Sequence, residues 1–198
     1  MNILICDTAG IVETTSGDQV VTNSPISCMQ AICDNHFDLI VIAMGPKKIR
    51  ERNAFLELCY ALKEGEKSRD IPLLVLLPAK HRSLLEHLQM AGVDFAEIVD
   101  WKTISAEQLQ QITHQLNGAR RPYRILKEIC PYISYQVIDT RRELMVCGAD
   151  RCRLVLGPAR LADLCETSDH IYCPYFKKPK FLNAKSGRGA NATTETEQ

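Results

Sequence analysis

The sequence predicts an α/β fold, a parallel sheet covered by helices, followed by a small α+β part rich in cysteine. Three observations carry this. Short apolar runs at 2–6, 38–43 and 71–77, each followed by polar or turn-forming residues, read as strands buried on both faces. Helical patterns separate these runs, and alternation of the two implies right-handed crossovers and a sheet covered on both sides. The stretch Gly118-Ala119-Arg120-Arg121-Pro122 then breaks the pattern and sets off a segment holding five of the nine cysteines, since Gly is favoured just past a helix end and Pro cannot continue a helix. The 198 residues suit one ordinary domain over 1–118, a small cysteine-rich, metal-binding one over 119–180, and a tail over 181–198.

Taken in order, Ile3-Leu4-Ile5-Cys6-Asp7 opens the chain as a strand. From Ala9 to Asn23 no helix is legible. Gly10, Gly17 and the β-branched run Val20-Val21-Thr22 predict loop and strand there, so that one face near the first strand stays less covered and open to a partner or to the second part. Helices are expected over 24–35, capped by Ser24, and over 52–63, with Phe55, Leu58, Cys59 and Leu62 on one face. Two more are expected over 82–90 and over 105–117, the last with Leu109, Ile112 and Leu116 at helical spacing. In the second part, 133–138 and 143–147 read as a hairpin and 152–156 as a third strand. A helix opened by Gly157-Pro158 is expected over 159–166. From Phe181 the chain loses periodicity and reads as a disordered tail.

The first part resembles the receiver domains of bacterial two-component response regulators, which have a flavodoxin-like fold. The resemblance rests on Ile3 to Asp7, on Phe37-Asp38-Leu39-Ile40-Val41-Ile42, on the run from Ser68 to Leu77, and on the turn Ala91-Gly92-Val93-Asp94. It implies two-component signalling by phosphorelay, in which an aspartate accepts a phosphoryl group beside a divalent cation, with a lysine and a Thr/Ser on the phosphoryl oxygens. The positions that match depart from that chemistry. Asp7 matches the first of an acidic pair, but Thr8 holds the second place, and a hard cation loses a carboxylate. Ala43 holds the acceptor position, Leu77 the Thr/Ser place, and Val99 or Asp100 the lysine place, with Lys102 nearby. A methyl group neither attacks phosphorus nor holds a phosphoryl group, so the expectation is a pseudo-receiver with no phosphoacceptor. For Asp7 alone, capping a turn is the commoner role of an aspartate at a strand end.

The formal net charge is zero, but residues 1–118 hold 10 Lys/Arg against 15 Asp/Glu and residues 119–180 hold 12 against 7. Such asymmetry fits two parts of one chain docking on each other, or simply solvated charge, better than it fits nucleic acid. No apolar run reaches the ~18 residues of a membrane span and no opening signal peptide is legible, so a cytoplasmic protein with no membrane partner is expected. Thiols there stay reduced, which favours metal ligands over disulfides. Cys6, Cys28, Cys33 and Cys59 lie in apolar patterns, where a free cysteine behaves as a small buried hydrophobe.

The five later cysteines fall at element ends, and Cys130-Pro131-Tyr132 repeats as Cys173-Pro174-Tyr175. A Cys-Pro pair recurs beside iron–sulfur clusters, where proline restricts the backbone next to the ligating sulfur. The ligand set expected is Cys130, Cys147, Cys165 and Cys173 around an iron–sulfur cluster, with Cys152 and His170 as alternates. Zinc is the rival, since Cys147, Cys152, Cys165 and His170 approach zinc spacing, although no C-x-x-C pair is present, and the third reading is buried thiols that hold no metal. His170 reads as an exposed residue after a helix. A part of about 60 residues buries too little apolar surface to stand alone, so docking or a metal staple is expected. The function expected is a non-enzymatic signalling adaptor that binds a protein partner and senses redox state or metal. The alternative is a zinc-stabilised nucleic-acid-binding regulator using Arg120, Arg121, Arg124, Arg141, Arg142, Arg151, Arg153 and Arg160.

Overall fold

The computed structural model describes residues 1–13, 18–45, 49–99, 104–151 and 154–180. Five short strands form one sheet: β1 (Ile3–Asp7), β2 (Gln19–Thr22), β3 (Leu39–Ala43), β4 (Leu73–Leu77) and β5 (Phe95–Ile98). Its order is β2-β1-β3-β4-β5 and every pairing is parallel. β1, β3 and β4 are buried at every position, which is why their sequences carry no polar alternation.

Alternate strand residues feed two cores. Leu4, Cys6, Ile40, Ile42, Leu73, Val75 and Leu77 face the first, against α1 (Pro25–Asp34), α2 (Ile49–Glu64) and α3 (Arg82–Met90). Ile3, Ile5, Leu39, Val41, Leu74 and Leu76 face the second, against Leu109 of α4 (Ala106–His114) and Ile104. Each such aliphatic side chain, fully buried, contributes roughly 1.5–3 kcal/mol. Local chemistry starts the helices where the sequence predicts. Ser24 accepts the Ser27 N–H, Ser105 and Gln108 form a reciprocal capping box, and His81 Nδ1 accepts the Leu84 N–H at 3.1 Å. Gly92, at φ +76°, closes α3, and only glycine takes that conformation without strain.

Between β1 and β2 the described residues form no helix, and Asp7 supplies the reason. Its carboxylate, 4% exposed, accepts the N–H groups of Ala9 and Gly10 on Oδ1, both at 2.9 Å, and those of Ile11 and Val12 on Oδ2 at 2.7 and 2.8 Å. The chain is wound around that carboxylate instead of into a helix. Ile11 and Val12 then pack on the second core, and Val12 bridges to Ile104.

Past a 3-10 turn at Gly118–Arg120 comes α5 (Pro122–Glu128). The sequence reading took Pro122 only as a breaker, whereas it begins a helix, a position where its missing N–H costs nothing. The hairpin is present as β6 (Ile133–Val137) and β7 (Glu143–Cys147), and β8 (Leu154–Val155) adds to it antiparallel. The expected helix over 159–166 is α only over α6 (Pro158–Arg160) and continues as a π turn over Leu161–Cys165. A 3-10 segment (Ser168–Tyr172) and α7 (Pro174–Lys177) follow.

This second part packs on α3, largely through α5. Its Ile129, Cys130, Ile133, Cys147, Ala149, Leu156, Leu161 and Cys165 join the first core in one continuous cluster. The face beside β1, expected to stay open to a partner or to the second part, carries α4 and the 11–12 segment instead. No helix among the described residues is long and apolar enough to cross a membrane. The tail over 181–198 lies outside the described residues.

Candidate functional site

At the carboxyl ends of β3 and β4, where open α/β sheets place their chemistry, the side chains are aliphatic. Ala43 ends β3, fully buried, in register with Asp7 on one side and Leu76 on the other. Leu77 ends β4, and its carbonyl accepts the Val99 N–H at 2.9 Å. Asp7 has both oxygens committed to backbone amides. Asp100 and Lys102 lie outside the described residues.

The second part holds a more distinctive constellation. Cys130, Cys147, Cys165 and Cys173, the four ligands expected from sequence, all line one small cavity of about 10 Å³, room for roughly one water. Four elements deliver them: the turn after α5, the end of β7, the end of the π turn, and the residue preceding α7. The Cys130 N–H donates to the Cys165 carbonyl at 2.7 Å, and the Gly148 N–H, beside Cys147, donates to the Tyr132 carbonyl at 2.7 Å. Two pairs of thiol-bearing segments are thereby stitched backbone to backbone. Tyr132, Leu156, Leu164, Tyr175 and Phe176 complete an apolar wall.

All four thiols are buried. Burial pushes the Cys130 thiol up from its ordinary range, and the neighbouring Cys147 and Cys173 add to it. Cys165 is pushed up to about 11, first by burial and then by Cys130, with Arg160 opposing. Arg160 also donates to Cys173 Sγ at 3.5 Å, a cation set against a thiol sulfur. His170 is placed differently from the sequence reading. It is 6% exposed and lines the cavity. Its Nδ1 donates to the Thr167 carbonyl at 2.7 Å, and its ring meets Phe176 edge-on at 5.1 Å. Cys152 lies outside the described residues.

The donor set suits a metal centre of four thiolates, with a nearby cation to offset their charge. Among the described residues, no group of three or more His, Cys, Asp or Glu side chains is gathered to hold a metal ion. A single zinc draws its sulfurs to ~2.3 Å from one point, whereas a cubane spreads four thiolates over four irons. The four thiols share one cavity without being gathered about a single point. The 10 Å³ of free space means that the walls would move outward to take a cluster.

The remaining cysteines divide. Cys6, Cys28 and Cys59 are buried in the first core. A hydrogen bond with Cys6, followed by burial, pushes the Cys28 thiol far up, and burial pushes Cys59 to about 12, so these thiols behave as hydrophobes. Cys33, expected among them, is exposed, because it falls on the outer side of α1 while Cys28 and Ile32 face inward. Of the seven described arginines offered as a phosphate-binding face, four have partners within the chain. Arg120 pairs with Glu97 and Arg142 with Asp139, Arg124 lies over Tyr123, and Arg160 faces Cys173 and Tyr175. Arg153 lies outside the described residues.

Sequence reasoning missed the polar junction that fastens the second part to the first. Glu143, opening β7, accepts two hydrogen bonds from Arg52 of α2 at 2.8 and 3.2 Å and a third from His81 Nε2 at 2.8 Å. His81 Nδ1 already accepts from Leu84, which makes the imidazole the neutral Nε2–H tautomer. Burial, then Arg52, lowers its pKa in agreement, against the pull of Glu143. The His81 ring stacks on Tyr135 of β6 at 3.8 Å. Separations of 29, 62 and 91 residues among Arg52, His81 and Glu143 leave no local pattern to read. No protein-family model, no curated protein and no solved structure matches this chain.

Proposed function

We propose that this chain is a receiver-like signalling adaptor of the cytoplasm that is not phosphorylated, catalyses no reaction, and works by binding a protein partner. In this reading Cys130, Cys147, Cys165 and Cys173 hold an iron–sulfur cluster that reports redox state or iron supply. The observation that carries the proposal is the meeting of these four buried thiols on one cavity. Two further observations support it. The strand order β2-β1-β3-β4-β5 is that of flavodoxin-like sheets, and Ala43 and Leu77 stand at strand ends where a receiver needs an aspartate and a hydroxyl.

Bound there, a cluster supplies a reversible one-electron change at a potential set by its surroundings. The chain's own residues set those surroundings. The aromatic and aliphatic wall keeps water out, Arg160 offsets thiolate charge beside Cys173, and the raised pKa values of Cys130 and Cys165 mean that ligation releases protons. Anaerobic purification with an absorption spectrum and an assay of iron, zinc and sulfide tests the proposal, on the full chain and on a Cys130→Ser/Cys173→Ser variant. The expected result is broad absorption near ~400 nm with iron and sulfide, lost in the variant. Stoichiometric zinc without sulfide would replace the cluster with a structural ion, and a protein free of both metals would remove the sensor reading altogether.

A further inference from the structure

Three consecutive residues between β4 and the first turn of α3 each grip a different cysteine-bearing segment. Lys80 Nζ donates to the carbonyl of Glu166, the residue after Cys165, at 2.9 Å. It also pairs at 3.0 Å with Glu128, two residues before Cys130. His81 donates to Glu143 at 2.8 Å, at the opposite end of β7 from Cys147, and stacks on Tyr135, whose cross-strand neighbour is Met145. The Arg82 guanidinium donates to the carbonyl of Ile129, adjacent to Cys130, at 3.0 Å, and its backbone N–H donates to the Tyr135 hydroxyl at 2.8 Å. Three of the four cavity thiols are thus tied, within four residues along the chain, to one tripeptide of the first part.

The junction made by this tripeptide also borders free space. A cavity of about 190 Å³ lies against it, lined in part by Met44 and Gly45 after β3, Pro78 and Ala79 after β4, and His81 and Glu143. The segment is therefore held by the thiol-bearing loops and borders a cavity that His81 and Glu143 line together. Packed elements respond to small displacements by switching between discrete arrangements, and free space beside a gripped segment leaves room for such a response. We infer that Lys80, His81 and Arg82 couple occupancy of the thiol cavity to the position of residues 78–82 and the start of α3. Metal loading of the second part thereby changes the surface that the first part offers a partner. This rests on the metal-site reading above and adds to it the route by which the site is read.

Hydrogen–deuterium exchange on the full chain, isolated anaerobically and compared with the same protein stripped by a chelator, tests the coupling, with bound metal assayed in both. Amides over 78–90 are expected to exchange ~tenfold faster after stripping, while those of α4, on the opposite face, change less than about twofold. In a Lys80→Met/Arg82→Met variant that retains its metal, the contrast over 78–90 is expected to shrink below about threefold. A loaded protein whose 78–90 amides ignore stripping overturns the coupling while leaving the metal site standing. Equal acceleration in α4 overturns it as well, because stripping would then loosen the whole fold. A chain that binds no metal brings down the site and the inference together, and the metal assay identifies that case. Should the variant fail to fold, the comparison on the unmodified chain decides alone.

Discussion

Replacing Glu143 by alanine is the most direct test of how the two parts of the chain are joined. The carboxylate accepts three hydrogen bonds, two from Arg52 and one from His81, and the side chains of Arg52, Glu143 and His81 are 22%, 19% and 16% exposed. A solvent-exposed pair of this kind contributes about 0–1 kcal/mol, and breaking a fully buried one costs about 3–5 kcal/mol. One-fifth exposure places this pair between, so Glu143→Ala should cost ~2–3 kcal/mol, most of it from leaving the Arg52 guanidinium half-buried without its counter-ion. For a chain of this length that lowers Tm by roughly 4–12 °C. Arg52→Ala should cost less, since Glu143 keeps its bond from His81. The double variant should be more stable than the sum of the single losses implies, by ~1–2 kcal/mol, because each single variant already removes the shared interaction. Urea unfolding followed by circular dichroism at pH 7.5 measures all four corners of this cycle. A Glu143→Ala loss below about 0.5 kcal/mol, or additive single effects, would show that the contact is screened and does not fasten the second part to α2 and α3.

Two other outcomes follow from the same structure. Stability should fall as pH drops below 6.5. Burial and Arg52 hold the His81 pKa below that value, so the unfolded chain takes up this proton first. The contribution is complete above 6.5 and is lost as pH falls through the folded pKa. Burial raises the Glu143 carboxyl, but the bonds from Arg52 and His81 outweigh it and leave it below 4.5, which adds a second loss at lower pH. His81→Asn, which keeps an acceptor at the start of α3, should flatten the first of these steps in a pH series of urea midpoints. At β1, Asp7→Ala strands four backbone N–H groups and should cost ~2–4 kcal/mol. Asp7→Asn, with one oxygen left, should cost about half as much. Thermal melts with and without Mg²⁺ check the assignment, since stabilisation by Mg²⁺ that Asp7→Asn abolishes would make this carboxylate a cation ligand instead of a loop anchor.

Much of this molecule was legible before any coordinate. Strands buried on both faces announce themselves as unbroken apolar runs, and Leu39-Ile40-Val41-Ile42-Ala43 is β3 as read. The helix starts followed from Ser24 and Ser105, whose hydroxyls act within three residues. The missing helix after β1 was visible as an absence of periodicity, and the four thiols could be nominated because cysteines at element ends beside Cys-Pro pairs are chemically conspicuous. These are short-range properties, decided by side-chain chemistry and by backbone preference over a few residues. Tertiary structure alone decided the rest. His170 is a surface residue in sequence and a cavity wall in the fold, because Phe176 and the Thr167 carbonyl enclose it. Cys33 and Cys28 look alike in sequence, and only the face of α1 that meets the sheet separates them. The second part lies on α3 and not beside β1, since Arg52, Lys80, His81 and Arg82 are dispersed polar residues until packing sets them opposite Glu143, Glu166 and Ile129. Contacts between residues dozens of positions apart depend on how helices and sheet pack, and no local pattern of residues records that geometry.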